Sequence, residues 1–213
     1  MTSSCNSDEV QLTRSPATRV DSDTLLDAAR TCVLSVGVRR TTLTDIARRA
    51  GVSRMTVYRR FADVTSVMAA LMTREFSSLL TEADRSAREQ PDARAHLVAA
   101  TLAGVRALRA DPLMISVLDR DPELLLPYLF ERIGSTQRLI EAVLVEQITV
   151  GHRDGSIRAG DPAVQSRAIF LTGQAFVISH RPSTTDIDGD DLLAELGRAL
   201  DGALTPAPTS EDR

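Results

Sequence analysis

Thr41–Phe61 reads TTLTDIARRAGVSRMTVYRRF, and its local chemistry decides the fold. Thr42-Leu43-Thr44-Asp45 has the form of a capping box. In such a box the Thr42 hydroxyl accepts one orphan amide of a helix start and the Asp45 carboxylate reaches back to another. The pattern predicts a short helix that ends at Ala50. Gly51 supplies the positive φ that a tight turn needs. Ser53 then caps a second short helix, from Arg54 to about Arg60. Ile46, Ala47, Val52, Val57 and Phe61 are the inward positions, while Arg54, Met55, Thr56, Tyr58, Arg59 and Arg60 point outward.

Ala47 is small where two helices must cross closely. Gly51 follows after one turn and Val57 six residues later, the spacing of a helix-turn-helix. An outward face of Arg, Tyr and Thr suits phosphate oxygens and base edges, and Arg can grip guanine with two hydrogen bonds. The plain alternative is a helical hairpin with a solvated Arg-rich face. The coincidence of cap, turn glycine, apolar triplet and basic face favours the nucleic-acid reading.

The charge distribution agrees. All basic residues are Arg; residues 1–61 carry ten of them and six acids, whereas residues 62–213 carry fifteen Arg and twenty-three acids. Within residues 30–60 there are eight Arg against one acid, Asp45. A small basic unit therefore precedes a larger acidic body, as a phosphate-binding head requires.

Outward from the motif, the periodicity is helical and nowhere alternates as a strand would, so the expected class is all-α. Residues 1–20 are polar and aperiodic and read as a disordered N-terminal tail, as does 205–213 at the other end. Leu25, Leu26, Ala29, Val33 and Val36 mark a first helix behind a Ser22/Asp23 cap, with Gly37 as its end. A long helix begins at Asp63 and runs to about Gln90, stopped by Pro91. Asp111-Pro112, Asp121-Pro122 and Asp161-Pro162 each read as a helix start, because Asp caps and Pro is tolerated in the first turn. Pro127 keeps the middle helix short. A further helix is expected over about Thr136–His152, followed by a turn over residues 151–160. Helices over Pro162–His180, with a face of Val164, Ala168, Leu171, Thr172, Ala175, Phe176 and Ser179, and over Asp190–Leu204 complete the chain.

The stretch from about Leu25 to Leu71 resembles the N-terminal domain of TetR/AcrR-family transcriptional regulators. The resemblance rests on Thr42, Ile46, Ala47, Ala50, Gly51, Val52, Ser53, Thr56, Val57, Tyr58 and Phe61. It implies a helix-turn-helix DNA-binding domain over 21–66 and a helical effector-binding and dimerisation domain over 67–204. It also implies a cytoplasmic homodimer on a palindromic double-stranded DNA operator, and a repressor released by a small molecule. The DNA-contacting positions are then Thr42, Thr44, Ser53, Arg54, Met55, Thr56, Tyr58, Arg59 and Arg60. Two positions depart from the family pattern: Met55 stands where Gly is frequent, and Val64 where a phosphate-binding Lys is frequent. Thr65 or the Arg59/Arg60 pair are the available substitutes for that Lys.

In the body, the apolar faces of 162–180 and 190–204 are the expected dimer contacts. Leu102, Met114, Leu118, Tyr128, Phe130, Val143, Gln147, Phe170, Gln174 and Phe176 are the expected pocket residues. Gln147 and Gln174 stand out because each interrupts an apolar face and a buried amide needs partners. Few aromatics and the absence of a cationic cluster point to an apolar, neutral or weakly cationic ligand.

Other classes are disfavoured. No H-E-x-x-H, G-x-S-x-G, P-loop or dinucleotide fingerprint is present, so neither an enzyme nor a cofactor or metal is expected. No apolar run approaches the roughly 18–20 residues of a membrane span, and the N-terminus lacks the apolar core of a secretory signal. Cys5 and Cys32 make no disulfide framework, which fits a reducing cytosol. A DNA-binding architectural protein without effector stays open as an alternative, although the long segment after the basic unit exceeds what it needs.

Overall fold

The computed structural model describes the backbone of residues 17–131 and 133–207, and side chains from residue 22 onward. The expected tails fall largely outside the described residues. Every regular element among the described residues is helical: α1 (Ala17–Val36), α2 (Leu43–Ala50), α3 (Arg54–Arg60), α4 (Val64–Ser86), α5 (Ala93–Ala110), α6 (Pro112–Arg120), a 3-10 turn (Pro122–Leu125), α7 (Leu126–Phe130), α8 (Ser135–Asp154), α9 (Pro162–Ile178), the single turn α10 (His180–Ser183) and α11 (Gly189–Leu204).

Two hydrophobic cores organise these helices. The first gathers Leu25, Ala29 and Val33 of α1, Ile46 and Ala47 of α2, Val57 of α3 and Val67 and Leu71 of α4, and is closed by Leu113 and Val117 of α6. The second gathers Phe76, Leu97, Val105, Met114, Ile148, Ile169 and Val177 with Leu193, Leu196, Leu200 and Leu204 of α11. Helices α4 and α6 serve both cores. At 23 residues, α4 spans about 34 Å, long enough to leave one core and wall the other.

The Asp-Pro pairs divide. Asp111 and Asp161 cap α6 and α9, accepting from Met114 N and Ala163 N at 2.8 Å each. Asp121 caps nothing in its own segment. Its carboxylate, almost wholly buried, crosses to the α1–α2 connection and accepts the amides of Val38 (2.8 Å) and Arg39 (3.3 Å). Gly37 sits beneath it at φ +83°, where a Cβ would also lie 3.0 Å from Asp121 Oδ2. Arg120 donates to the Leu34 carbonyl at 3.2 Å, and Arg39 pairs with Glu123 at 2.5 Å. These contacts fasten the end of α6 to the end of α1.

Several boundaries differ from expectation. Helix α1 is already formed at Ala17, so Ser22 and Asp23 lie inside it instead of capping it. Asp23 lends its carbonyl to Arg74 at 3.2 Å, and Asp27 its carboxylate at 2.8 Å. Val36 is exposed. Helix α4 stops at Ser86, short of Gln90, because Asp92 must leave helical geometry to accept the Ala95 amide and the chain has to turn before it. Helix α8 continues through Gly151 to Asp154. Gly151 is buried under Ile157, and Gly155, at φ +77°, makes the turn instead.

The largest correction concerns which faces are inside. The apolar stripe of α11 is spent on the second core against α5, with Leu102 seated on Gly197, and is not left over for a partner. The expected apolar face of α9 lies outside: Val164 and Leu171 are 66% and 53% exposed. Its buried face carries Gln165, Ser166, Ile169, Gly173 and Val177. These polar groups are satisfied: Gln165 donates to the Arg158 carbonyl at 3.1 Å and meets His152 at 2.9 Å, and Ser166 donates to the Glu141 carbonyl.

Replacing Asp121 by Ala orphans a buried amide at Val38, and is expected to destabilise the fold by about 1–3 kcal/mol. Asp121→Asn keeps one acceptor oxygen and should lose less. Urea denaturation midpoints of the two variants check this; equal midpoints for wild type and Asp121→Ala would show the contact to be dispensable.

Candidate DNA-binding head and effector cavity

The head is built as the motif dictates. Thr42 Oγ1 accepts the Asp45 amide at 3.1 Å. The Asp45 carboxylate accepts the Thr42 hydroxyl at 2.5 Å and the Arg48 guanidinium at 2.7 Å, and the Thr42 backbone amide also acts on it, as the expected box requires. The Thr42 hydroxyl, and after it the Arg48 charge, lower the Asp45 pKa below its ordinary value despite some opposing desolvation. Gly51 adopts φ +68°, and Val52 N returns to the Ala47 carbonyl at 3.1 Å. The turn is tight because Ala47 and Val57 are fully buried where the two helices cross.

Helix α3 is two turns long and is capped by Ser53, whose hydroxyl accepts the Thr56 amide at 3.2 Å and meets the Thr56 hydroxyl at 2.9 Å. Arg54, Met55, Tyr58, Arg59 and Arg60 stand out from the surface, with Met55 74% and Tyr58 54% exposed. Thr42, Ser53 and Thr56 are engaged in caps, and Thr44 is half-buried. Val64 packs on the head core. The α4 start is held by a reciprocal Asp63/Ser66 box.

In the body, a cavity of about 410 Å³ lies between α4, α5, α8 and α9, with α6 and α7 at one end. That volume is within the usual range for drug-sized ligands. Met114, Tyr128, Val143, Gln147, Phe170 and Gln174 line it, six of the residues singled out in the sequence. Leu102, Leu118 and Phe130 do not. Leu102 fills the α5–α11 contact, Leu118 and Phe176 pack on the second core, and Phe130 is 80% exposed. Leu139 and Val143 both line the cavity and are nearly half exposed, so it reaches the surface beside α8.

Its two glutamines sit in different networks. Gln174 accepts from Gln137 at 2.9 Å, and Gln137 also donates to the Tyr128 carbonyl at 3.2 Å. Gln147 donates to Asp84 Oδ1 at 2.6 Å, and His96 Nε2 meets the same oxygen at 2.8 Å. Burial alone would raise the Asp84 pKa, but hydrogen bonds from His96 and Gln147, with the charges of His96 and Arg88, bring it below the ordinary value. Asp84 and His96 escaped the sequence reading. The available signal was the spacing Phe76, Leu80, Asp84, which puts a carboxylate on the apolar face of α4.

The head and the whole arrangement have counterparts. The pattern of bacterial regulatory proteins, tetR family, matches residues 25–71. A Mycobacterium bovis protein named as an uncharacterized HTH-type transcriptional regulator is 38% identical over 180 residues, which cover 84% of this chain and 92% of that protein. The transcriptional regulator FadR from Bacillus subtilis, solved in complex with stearoyl-CoA, has a TM-score of 0.60 at 19% identity, covering 85% of this chain and 98% of its own. RolR, solved with the ligand resorcinol, has a TM-score of 0.67 at 16% identity, covering 90% of each chain. The two structures share the fold; the mycobacterial relative, matched over nearly its full length, shows the kinship. The chain belongs to the TetR family of DNA-binding transcriptional regulators, a family of regulators and not of enzymes.

Proposed function

We propose that the chain is a cytoplasmic, non-catalytic repressor that leaves its operator when a small molecule enters the body cavity. The observation that carries this reading is the sharing of helices between cavity and head. Helix α6 sends Leu113 and Val117 into the head core and Met114 into the cavity wall. Helix α4 packs Val67 and Leu71 in the head and lines the cavity from Ala69 to Asp84. A ligand that moves either helix moves the head. The division of labour is a head over 21–66 and a body over 67–204. That FadR and RolR were each solved with a bound molecule supports the use of such a cavity for ligands.

In this reading the operator is double-stranded DNA, palindromic, with half-sites roughly 34–36 Å apart. The homodimer forms through the outer faces of α8 and α9. Val164 and Leu171 on α9, and Val150 on α8, are exposed apolar residues on two helices that pack together. Such a pair offers a self-complementary face to a two-fold partner. Arg54, Met55, Tyr58, Arg59 and Arg60 meet the DNA directly. Thr42, Thr44, Ser53 and Thr56 shape the helix starts and contact phosphates with what hydrogen-bonding capacity remains.

To weaken operator binding a hundredfold, the ligand must favour the DNA-incompetent state by about 2.7 kcal/mol. The reading as a whole is tested by selecting operators from a random DNA pool and titrating the best against a scrambled duplex. Equal affinity for both at physiological salt would refute it.

Two further outcomes follow from the geometry. Arg54→Ala should cost about 1–3 kcal/mol and relax base preference at one position per half-site, whereas Tyr58→Phe should weaken all sequences alike. Gel-shift titration against singly substituted operators distinguishes the two. Leu171→Glu on the outer face of α9 should leave the melting temperature nearly unchanged at low concentration but shift sedimentation from dimer to monomer. Retention of the dimer would place the interface elsewhere.

A further inference from the structure

Among the described residues, Asp84 is the single charged side chain lining the cavity. The α4 positions that face it include Ala69, Phe76, Leu80 and Asp84. Fifteen residues separate the first from the last, about 22 Å of helix. The cavity is thus an elongated apolar slot with a carboxylate near one end.

That end has an acceptor to spare. Asp84 Oδ1 takes both the Gln147 amide at 2.6 Å and His96 Nε2 at 2.8 Å, while Oδ2 receives no hydrogen bond from the described residues. The carbonyl oxygen of the same Gln147 amide is buried with no partner. The Gln147 NH2 faces the carboxylate and also lies 3.1 Å from His96 Nε2. Arg88, exposed in the turn after α4, and His96 are the other charges or titratable groups acting on Asp84.

We propose that the slot takes an elongated apolar molecule ending in a protonated amine, its ammonium seated on Asp84 Oδ2. An ammonium brings donors and no acceptor, so it bonds Oδ2 and neutralises the carboxylate. An alcohol offers one donor. A carboxylate or phosphate sets like charges together. The identity of the ligand class rests on the cavity being the effector site, and the two are separable by experiment.

Calorimetry on the full chain without DNA, at neutral pH, would compare n-decylamine, n-decanol and n-decanoate, which share a tail and differ at the head. The amine is expected to bind once per chain, at least about tenfold tighter than the carboxylate and tighter than the alcohol. Equal or tighter decanoate, or no binding of any of the three, overturns the proposal. Asp84→Asn should bring the amine close to the alcohol. If that variant melts too low to use, Thr81→Arg serves instead: Thr81 lines the cavity one turn before Asp84 and is exposed. There a guanidinium should abolish amine binding and admit decanoate. An undiminished amine preference in either folded variant overturns the proposal. Operator release is scored separately by gel shift. Amine bound with the expected preference but without release upholds the ligand class and refutes the effector reading; release by all three probes alike does the reverse.

Discussion

The buried Asp121 carboxylate holds the two halves of this molecule in one register. It satisfies the amides of Val38 and Arg39 where α1 gives way to the helix-turn-helix. A buried carboxylate without donors would be costly, and so would a buried amide without an acceptor. Each therefore demands the other, and the demand is directional. Gly37 makes the contact possible, because its left-handed backbone bends the chain and its missing side chain leaves room for Oδ2. Leu113 and Val117 then complete a head core that α1, α2 and α3 leave open.

From this constraint follows the mechanical character of the protein. A head joined to its body only by the continuous α4 could swing as that helix bends. Here α6 makes a second tie, and the same short helix presents Met114 to the cavity. In the proposed mechanism two rigid elements in parallel would convert a change of cavity shape into a change of head position, which one helix alone would absorb by flexing. Packed interfaces shift between discrete arrangements, so a displacement at Met114 has no soft path to dissipate along.

The body handles polarity with the same economy. Gln165 and Ser166 are buried on α9 and bonded, while Val164 and Leu171 on the same helix face outward. Read by hydropathy, the helix is inside out. Gln165 and Ser166 are inside because Arg158, Glu141 and His152 supply partners there, beside Ile169 and Val177. The cavity repeats the theme at Asp84, where a charge is kept at the edge of an apolar slot by His96 and Gln147.

By itself the sequence determined the helix-turn-helix completely: caps at Thr42 and Ser53, the turn at Gly51, the buried Ala47 and Val57 and the exposed Arg54 and Tyr58. These features are local, and hydrogen bonds within a few residues decide them. It also determined the all-helical class and six of the cavity-lining residues, since apolar periodicity reports which stripe of a helix is buried. What it did not determine was against what each stripe is buried. The α11 leucines and the α9 valine and leucine look alike as patterns, yet one set is core and the other surface. The role of Asp121 was equally hidden: three Asp-Pro pairs share one local chemistry, and two of them cap their own helices. Only the tertiary structure, by bringing residues more than eighty positions apart within hydrogen-bonding distance, assigned the third to the head.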